Sequence, residues 1–222
     1  MTIKKLAEIT ELDIRNLCEK IKARGAPSQA VFTRDIFARV YQFTVSKGVA
    51  INDPTRNIAP ASIARFKARD RALSEKEIKV FLQYLEKADV YPASKKGLLL
   101  ILLTLVRKGE MVNAQWHEID FDNAVWQIPP ERMKARRPHN VYLLSQAISI
   151  LHYLKTLAED SPFVLPGRNK TNQPIAISSM NRAIWRILKL ARKDGITIAD
   201  FTVHDLRRTG PTLLHEQGYN TD

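Results

Sequence analysis

Three short stretches of the chain gather guanidinium, ammonium and imidazole groups at the edges of predicted elements. The first is Arg107-Lys108-Gly109-Glu110, directly after an apolar run from Leu98 to Val106. The second is Arg132-Met133-Lys134-Ala135-Arg136-Arg137, and the third is His204-Asp205-Leu206-Arg207-Arg208. Phosphoryl transfer uses these groups. Two guanidiniums clamp non-bridging oxygens bidentately, an ammonium protonates a leaving alkoxide, and an imidazole moves protons near neutral pH. His204 and Arg207 stand three apart and share a helix face, at a helix start whose dipole favours an anion. Singly, each group has a plainer role: Arg107 as a helix C-terminal cap, Lys134 as a solvated hairpin lysine, His204 as a satisfied helix-start histidine.

The elements that must position them are legible from patterning. A chain of 222 residues suits one large domain or two modest ones. Its 45% hydrophobic and 26% charged residues are globular values. The formal net charge of +12 is the footprint of a protein that meets phosphates or an anionic surface. The Leu98–Val106 run is about half the roughly 20 residues a membrane span needs. It is flanked by Lys95, Lys96, Arg107 and Lys108, and so reads as a buried helix. The amino-terminal residues lack a secretory h-region, and the single cysteine, Cys18, excludes a disulfide framework or a cysteine metal cluster. The expected compartment is the cytoplasm.

The first part reads as wholly helical. Thr10 caps a helix with Ile14, Leu17, Cys18 and Ile21 on one face, ended by Gly25. Ser28 starts a second, with Phe32, Ile36, Val40 and Phe43 on one face and Gly48 after it. Asn52-Asp53-Pro54 is a turn. A basic linker follows, with Arg56, Arg65, Lys67, Arg69 and Arg71, and a boundary is expected near residue 71. Residues 1–71 carry +7 and residues 72–222 carry +5, so the smaller part is the more basic per residue. Beyond the boundary, Ser74 and Glu77 form a capping box before Ile78, Phe81, Leu82 and Leu85. Two strands, Val125–Ile128 and Val141–Leu143, flank a basic hairpin tip. Ser145 opens a helix through Ile148, Leu151 and Leu154. Ser178 or Ser179 opens one with Ile184, Ile187, Leu188 and Ala191 on a face. A last helix follows Thr202. The fold class is mainly α with a small antiparallel β-sheet.

Taken as an ordered set, the motifs carry more weight. Leu103-Thr104-Leu105-Val106-Arg107-Lys108-Gly109-Glu110 followed by Gln115-Trp116-His117-Glu118-Ile119-Asp120 resembles the first arginine box of the tyrosine recombinases, above all integrases of phages and genomic islands. Arg132-Met133-Lys134 before Arg137-Pro138-His139 is similar to their catalytic-lysine hairpin, and Phe201-Thr202-Val203-His204-Asp205-Leu206-Arg207-Arg208-Thr209 to their His-x-x-Arg box. The resemblance covers most of 72–222. Over 1–71 it is weaker and points to the later part of a helical core-binding domain. It implies that Arg107 and Arg207 hold the scissile phosphate, that Lys134 is general acid on the leaving 5′ oxygen, that His204 assists, and that Glu110 supports the site. It further implies double-stranded DNA of attachment-site type as partner, self-association on that DNA for the intact enzyme, no cofactor and no metal. Arg56, Arg65, Lys67, Arg69, Arg71, Arg132, Arg136, Arg137 and Arg208 are then the expected DNA-binding residues.

The chain departs from the family pattern at identifiable places. The family's nucleophilic tyrosine follows the His-x-x-Arg box by several tens of residues, beyond Asp222. Tyr219, twelve residues past Arg207, matches a Gly-Tyr-Asn element instead. Tyr41, Tyr84, Tyr91, Tyr142 and Tyr153 are expected to be packing residues. DNA binding without covalent turnover is therefore the expectation for this polypeptide, and a non-catalytic DNA-binding regulator or integrase remnant is the alternative. Pro211 removes the helical bond to the carbonyl of Arg207, so a kink or a break at Gly210 is expected, with Arg207 imperfectly placed. An RNA-binding protein is the weaker third reading, because no aromatic-rich stacking strand appears.

Overall fold

The computed structural model describes residues 4–49, 51–66, 70–133 and 136–219, the side chains of Lys170 and Thr171 excepted. Lys67, Arg69 and Lys134 lie outside the described residues. The chain forms two compact units, Met1–Arg69 and Asp70–Asp222.

The smaller unit holds α1 (Glu11–Ala23), α2 (Pro27–Ser46) and α3 (Pro60–Ile63). Thr10 accepts from the Asp13 amide while Asp13 accepts from the Thr10 amide, so both free ends of the first turn are satisfied. Ile14, Cys18, Ile21, Ala30, Ile58 and Ile63 make the core, and burial pushes the Cys18 thiol up. Arg34 ties the following loop to α2 by donating to the carbonyls of Ile58 at 2.8 Å and Thr55 at 3.0 Å.

Two expectations for this unit need correction. Leu17 is exposed, and so is the whole α2 stripe of Phe32, Ile36, Val40 and Phe43. The helix has a second stripe, Ala30, Arg34, Phe37 and Tyr41, and that one faces inward. Small Ala30 permits close approach to α1, and Tyr41 is buried with its hydroxyl donating to the Leu6 carbonyl at 2.6 Å. The helix also begins one residue early, with Pro27 in its first turn, where its missing N–H costs nothing.

The larger unit runs α4 (Glu75–Lys87), α5 (Pro92–Thr104), α6 (Lys108–Val112), β1 (Ile119–Asp120), β2 (Val125–Ile128), β3 (His139–Tyr142), α7 (Ser145–Ala158), β4 (Pro166–Gly167), β5 (Lys170–Pro174), α8 (Ser178–Lys193) and α9 (Val203–Glu216). α5 is central and packs against α7, α8 and α9. Gly97 makes the α8 contact possible, since a Cβ there would sit 2.7 Å from the Met180 side chain. The strands form an antiparallel sheet of order β1-β2-β3, with Trp126 opposite Val141 and Ile128 opposite His139, and a separate β4–β5 hairpin. Along α8, Ile184, Ile187, Leu188 and Ala191 are buried as their spacing predicts. Among the described residues no helix is long and apolar enough to cross a membrane.

Three further expectations change here. Leu82 lies on the exposed side of α4, where Tyr84 takes its place in the core. Tyr142 and Tyr153 are exposed rather than packed; Tyr41 and Tyr84 are buried. And α9 is unbroken from Val203 to Glu216 with Pro211 inside it. The bond to the Arg207 carbonyl is forgone, but the buried face of the helix keeps it continuous. Val203, Leu206 and Thr209 are buried, and Thr209 Oγ1 both donates to the Asp205 carbonyl at 2.7 Å and accepts from the Leu73 amide at 2.9 Å.

Candidate phosphate-binding site

Arg107 is not a C-terminal cap. The cap of α5 is Leu105, which takes a left-handed conformation at φ +57°, and the chain turns through it to start α6 with Arg107 as N-cap. A bulky residue in that region carries strain on the order of 1 kcal/mol or more. Its consequence is local and useful. The Leu105 carbonyl accepts from Arg207 Nε at 2.5 Å, across more than a hundred residues of sequence. The Leu105 side chain meanwhile lies against Gly210 of α9, where a Cβ would collide with it. One strained residue thus sets the second arginine.

Glu110 sets the first. Its carboxylate is buried, accepting from the Arg107 amide at 2.7 Å and from Arg107 Nη1 at 2.8 Å. The Arg107 side chain stays about half exposed, at 53%, with guanidinium donors left over. Arg107, His204 and Arg207 then line one cleft of about 360 Å³, with Lys108, Gly109, Asn181 and Thr202. Among the described residues no carboxylate lines it, and Glu110 sits behind Arg107. Arg107, Lys108 and Arg207 supply fixed positive charge, and the first turn of α9 opens onto the same space. The site can therefore take an anion with several acceptor oxygens. Among the described residues, no tyrosine lines the cleft.

Lys134 lies outside the described residues, so its distance from this cleft is not defined. Two residues before it, Arg132 is anchored. Arg132 donates to the buried carboxylate of Glu118 and to the Glu110 carbonyl, and Trp126 Nε1 donates to the same Glu118 at 2.9 Å. A polar chain therefore runs from the hairpin through Glu118 and Arg132 to Glu110 and Arg107.

Three of the expected DNA-facing arginines have carboxylate partners within the fold. Arg132 spends its charge inside the fold, and Arg71 does the same against Glu77 at 2.7 Å, with a further bond to the Ala199 carbonyl. Arg208 reaches Asp70 at 2.6 Å. Arg136 and Arg137 are exposed on the hairpin, and Arg56 and Arg65 are exposed in the smaller unit. The motif reading missed Asn181, which arrives from α8 and accepts from Lys108 Nζ at 3.3 Å. It also missed the Leu105 carbonyl. Neither has a local signal; both are brought in by packing.

The fold is a helical domain with a small sheet, and its cleft is lined by cationic side chains. Residues 71–222 match the phage integrase family, and the chain belongs to it. Prophage integrase IntZ of Escherichia coli (strain K12) is 31% identical over 218 residues, covering 98% of this chain and 52% of that protein. Prophage integrase IntA of the same organism is 29% identical over 217 residues, covering 96% and 51%. The chain thus spans about half the length of the integrases it matches. Two solved structures share the fold. The Tn1549 transposon integrase in complex with transposon right end DNA superposes with a TM-score of 0.72 at 12% identity, covering 98% of this chain and 76% of that one. A lambda integrase dimer bound to a COC′ core site gives 0.71 at 16%, covering 98% and 60%.

Proposed function

We propose that this chain binds double-stranded DNA and supplies the phosphate-holding part of a site-specific recombination site, acting in the cytoplasm. Residues 1–71 form helical core-binding structure with a basic linker, and 72–222 belong to the catalytic domain. Convergence of Arg107, His204 and Arg207 on one acid-free cleft carries the reading. Arg107 and Arg207 hold the non-bridging oxygens of the scissile phosphate, and charge accumulating there in the transition state strengthens those bonds. Glu110 keeps Arg107 aimed. His204 moves a proton at the phosphate, and Lys134 protonates the leaving 5′ oxygen. The attacking group is a tyrosine hydroxyl, giving a 3′-phosphotyrosyl link that conserves the energy of the broken bond. The polypeptide of residues 1–222 binds without forming that link, since no described tyrosine lines the cleft. Arg56, Arg65, Lys67, Arg69, Arg136 and Arg137 contact backbone phosphates and hold register. The assemblies named for lambda integrase, a dimer on a core site and a tetramer on a Holliday junction, support self-association of this chain on DNA.

The test is duplex affinity across a salt series by fluorescence anisotropy. Binding that falls steeply from 50 to 200 mM salt is expected, because each neutralised phosphate releases counterions. A flat dependence contradicts the reading. Trapping a covalent adduct on a suicide duplex with this polypeptide would overturn the statement that it binds without turnover.

A further inference from the structure

The larger unit has a second basic cleft that the recombination chemistry does not use. It measures about 270 Å³ and is walled by Arg168 in the β4–β5 turn and by Arg182 and Arg186 on α8, over Ser94 of α5. Arg182 is spread across the first turn of its helix, donating from Nη1 to Ser178 Oγ at 2.9 Å and from Nη2 to Ser179 Oγ at 3.0 Å. Arg186 Nη1 donates to the Asp89 carbonyl at 3.0 Å.

In their pairing these three resemble Arg207 of the first cleft, which meets a carbonyl rather than a carboxylate. Arg71, Arg107, Arg132, Arg192 and Arg208 of this unit each have a carboxylate within 4.0 Å. Among the described residues Arg168, Arg182 and Arg186 have none. Three guanidiniums around one small cleft repel one another, and an anion between them reverses the sign of that energy. Adjacent residues of α8 face the two clefts: Asn181 lines the one with Arg107 and Arg207, and Arg182 lines this one. The two clefts are thus lined from neighbouring positions of one helix.

We infer that the Arg168–Arg182–Arg186 cleft takes a second phosphate of the duplex backbone, flanking the scissile one; this rests on the DNA-binding reading above. The experiment compares salt series for the 222-residue chain and its Arg168→Gln/Arg182→Gln double variant. Lys189→Gln/Lys193→Gln, which removes the same charge from α8 outside the cleft, is the control. Loss of one phosphate contact makes the slope shallower by about one, so the affinity lost between 50 and 200 mM salt shrinks about 3.5-fold. The control should keep the parent slope. If the double variant keeps it too, or both variants lose equally, the inference falls while the DNA-binding reading stands. If the parent chain itself shows no salt dependence, that reading falls and the inference with it. Inorganic phosphate titrated against the arginine Nε resonances separates the sources. Binding of free phosphate with an unchanged duplex slope would assign the cleft to a small anion and overturn the backbone assignment.

Discussion

Helices α2 and α8 both carry an apolar stripe, far sharper in α8 than in α2, and the structure treats the two oppositely. In α8, Ile184, Ile187 and Leu188 are buried, and the polar side presents Asn181, Arg182 and Arg186 to two clefts. In α2, Phe32, Ile36 and Phe43 are exposed, and the face that packs is built on Ala30, Ala38 and Tyr41. Periodicity reports which residues share a face. Whether anything covers that face depends on the neighbours, and a helix with two stripes buries the one whose residue sizes fit them.

The comparison can be broken at several levels. The largest effect is expected at the polar chain behind the α8-side cleft. Arg132→Ala leaves buried Glu118 without its cation and should cost about 3–5 kcal/mol. Urea unfolding followed by tryptophan fluorescence measures this cleanly, because Trp116, Trp126 and Trp185 all lie in the larger unit. Next, Ile187→Ala in α8 should cost about 2–5 kcal/mol by the same readout. Its counterpart Ile36→Ala in α2 should stay within about 0.5 kcal/mol, read from hydrogen exchange of the α2 amides. Equal losses would mean that α2 is covered after all. Gly210→Ala forces a Cβ into Leu105 and should cost about 1–3 kcal/mol, with Arg207 displaced from the Leu105 carbonyl.

The smallest effect belongs to the smaller unit. Hydrogen bonds from the Lys4 ammonium, then from the Thr10 amide and hydroxyl, hold the Asp13 carboxyl down to about 2. Its folded pKa lies below the unfolded value of about 3.9. The stability it contributes is therefore present above that unfolded value and is lost as pH falls through about 2. An NMR titration of Asp13 with a midpoint near 4 would remove the contribution, and added salt should weaken it in any case.

Much of this was legible because it is local. Thr10, Ser74 and Thr202 mark their helix starts in sequence, Ser74 by a capping box, and the structure forms a box at each. His204 and Arg207, three apart, needed only a helix to be brought side by side. What escaped is non-local. Nothing near Arg132 in sequence says that Glu118 will consume its charge, and Glu77, though only six residues from Arg71, reads there as a capping residue, so both arginines pass for surface groups. Pro211 was judged by its local cost, which the tertiary contacts of Thr209 and Leu206 absorb. Leu105 was read as one more apolar residue, yet its backbone angle and carbonyl place Arg207.

The central claim is that Arg107, His204 and Arg207 surround one phosphate, and a crystal structure of the 222-residue chain with a duplex tests it most directly. The account predicts a backbone phosphate in the cleft, with non-bridging oxygens about 2.7–2.9 Å from both guanidiniums and His204 within reach of a bridging oxygen. A bound duplex whose phosphates all lie elsewhere, with the cleft open to solvent, would contradict it.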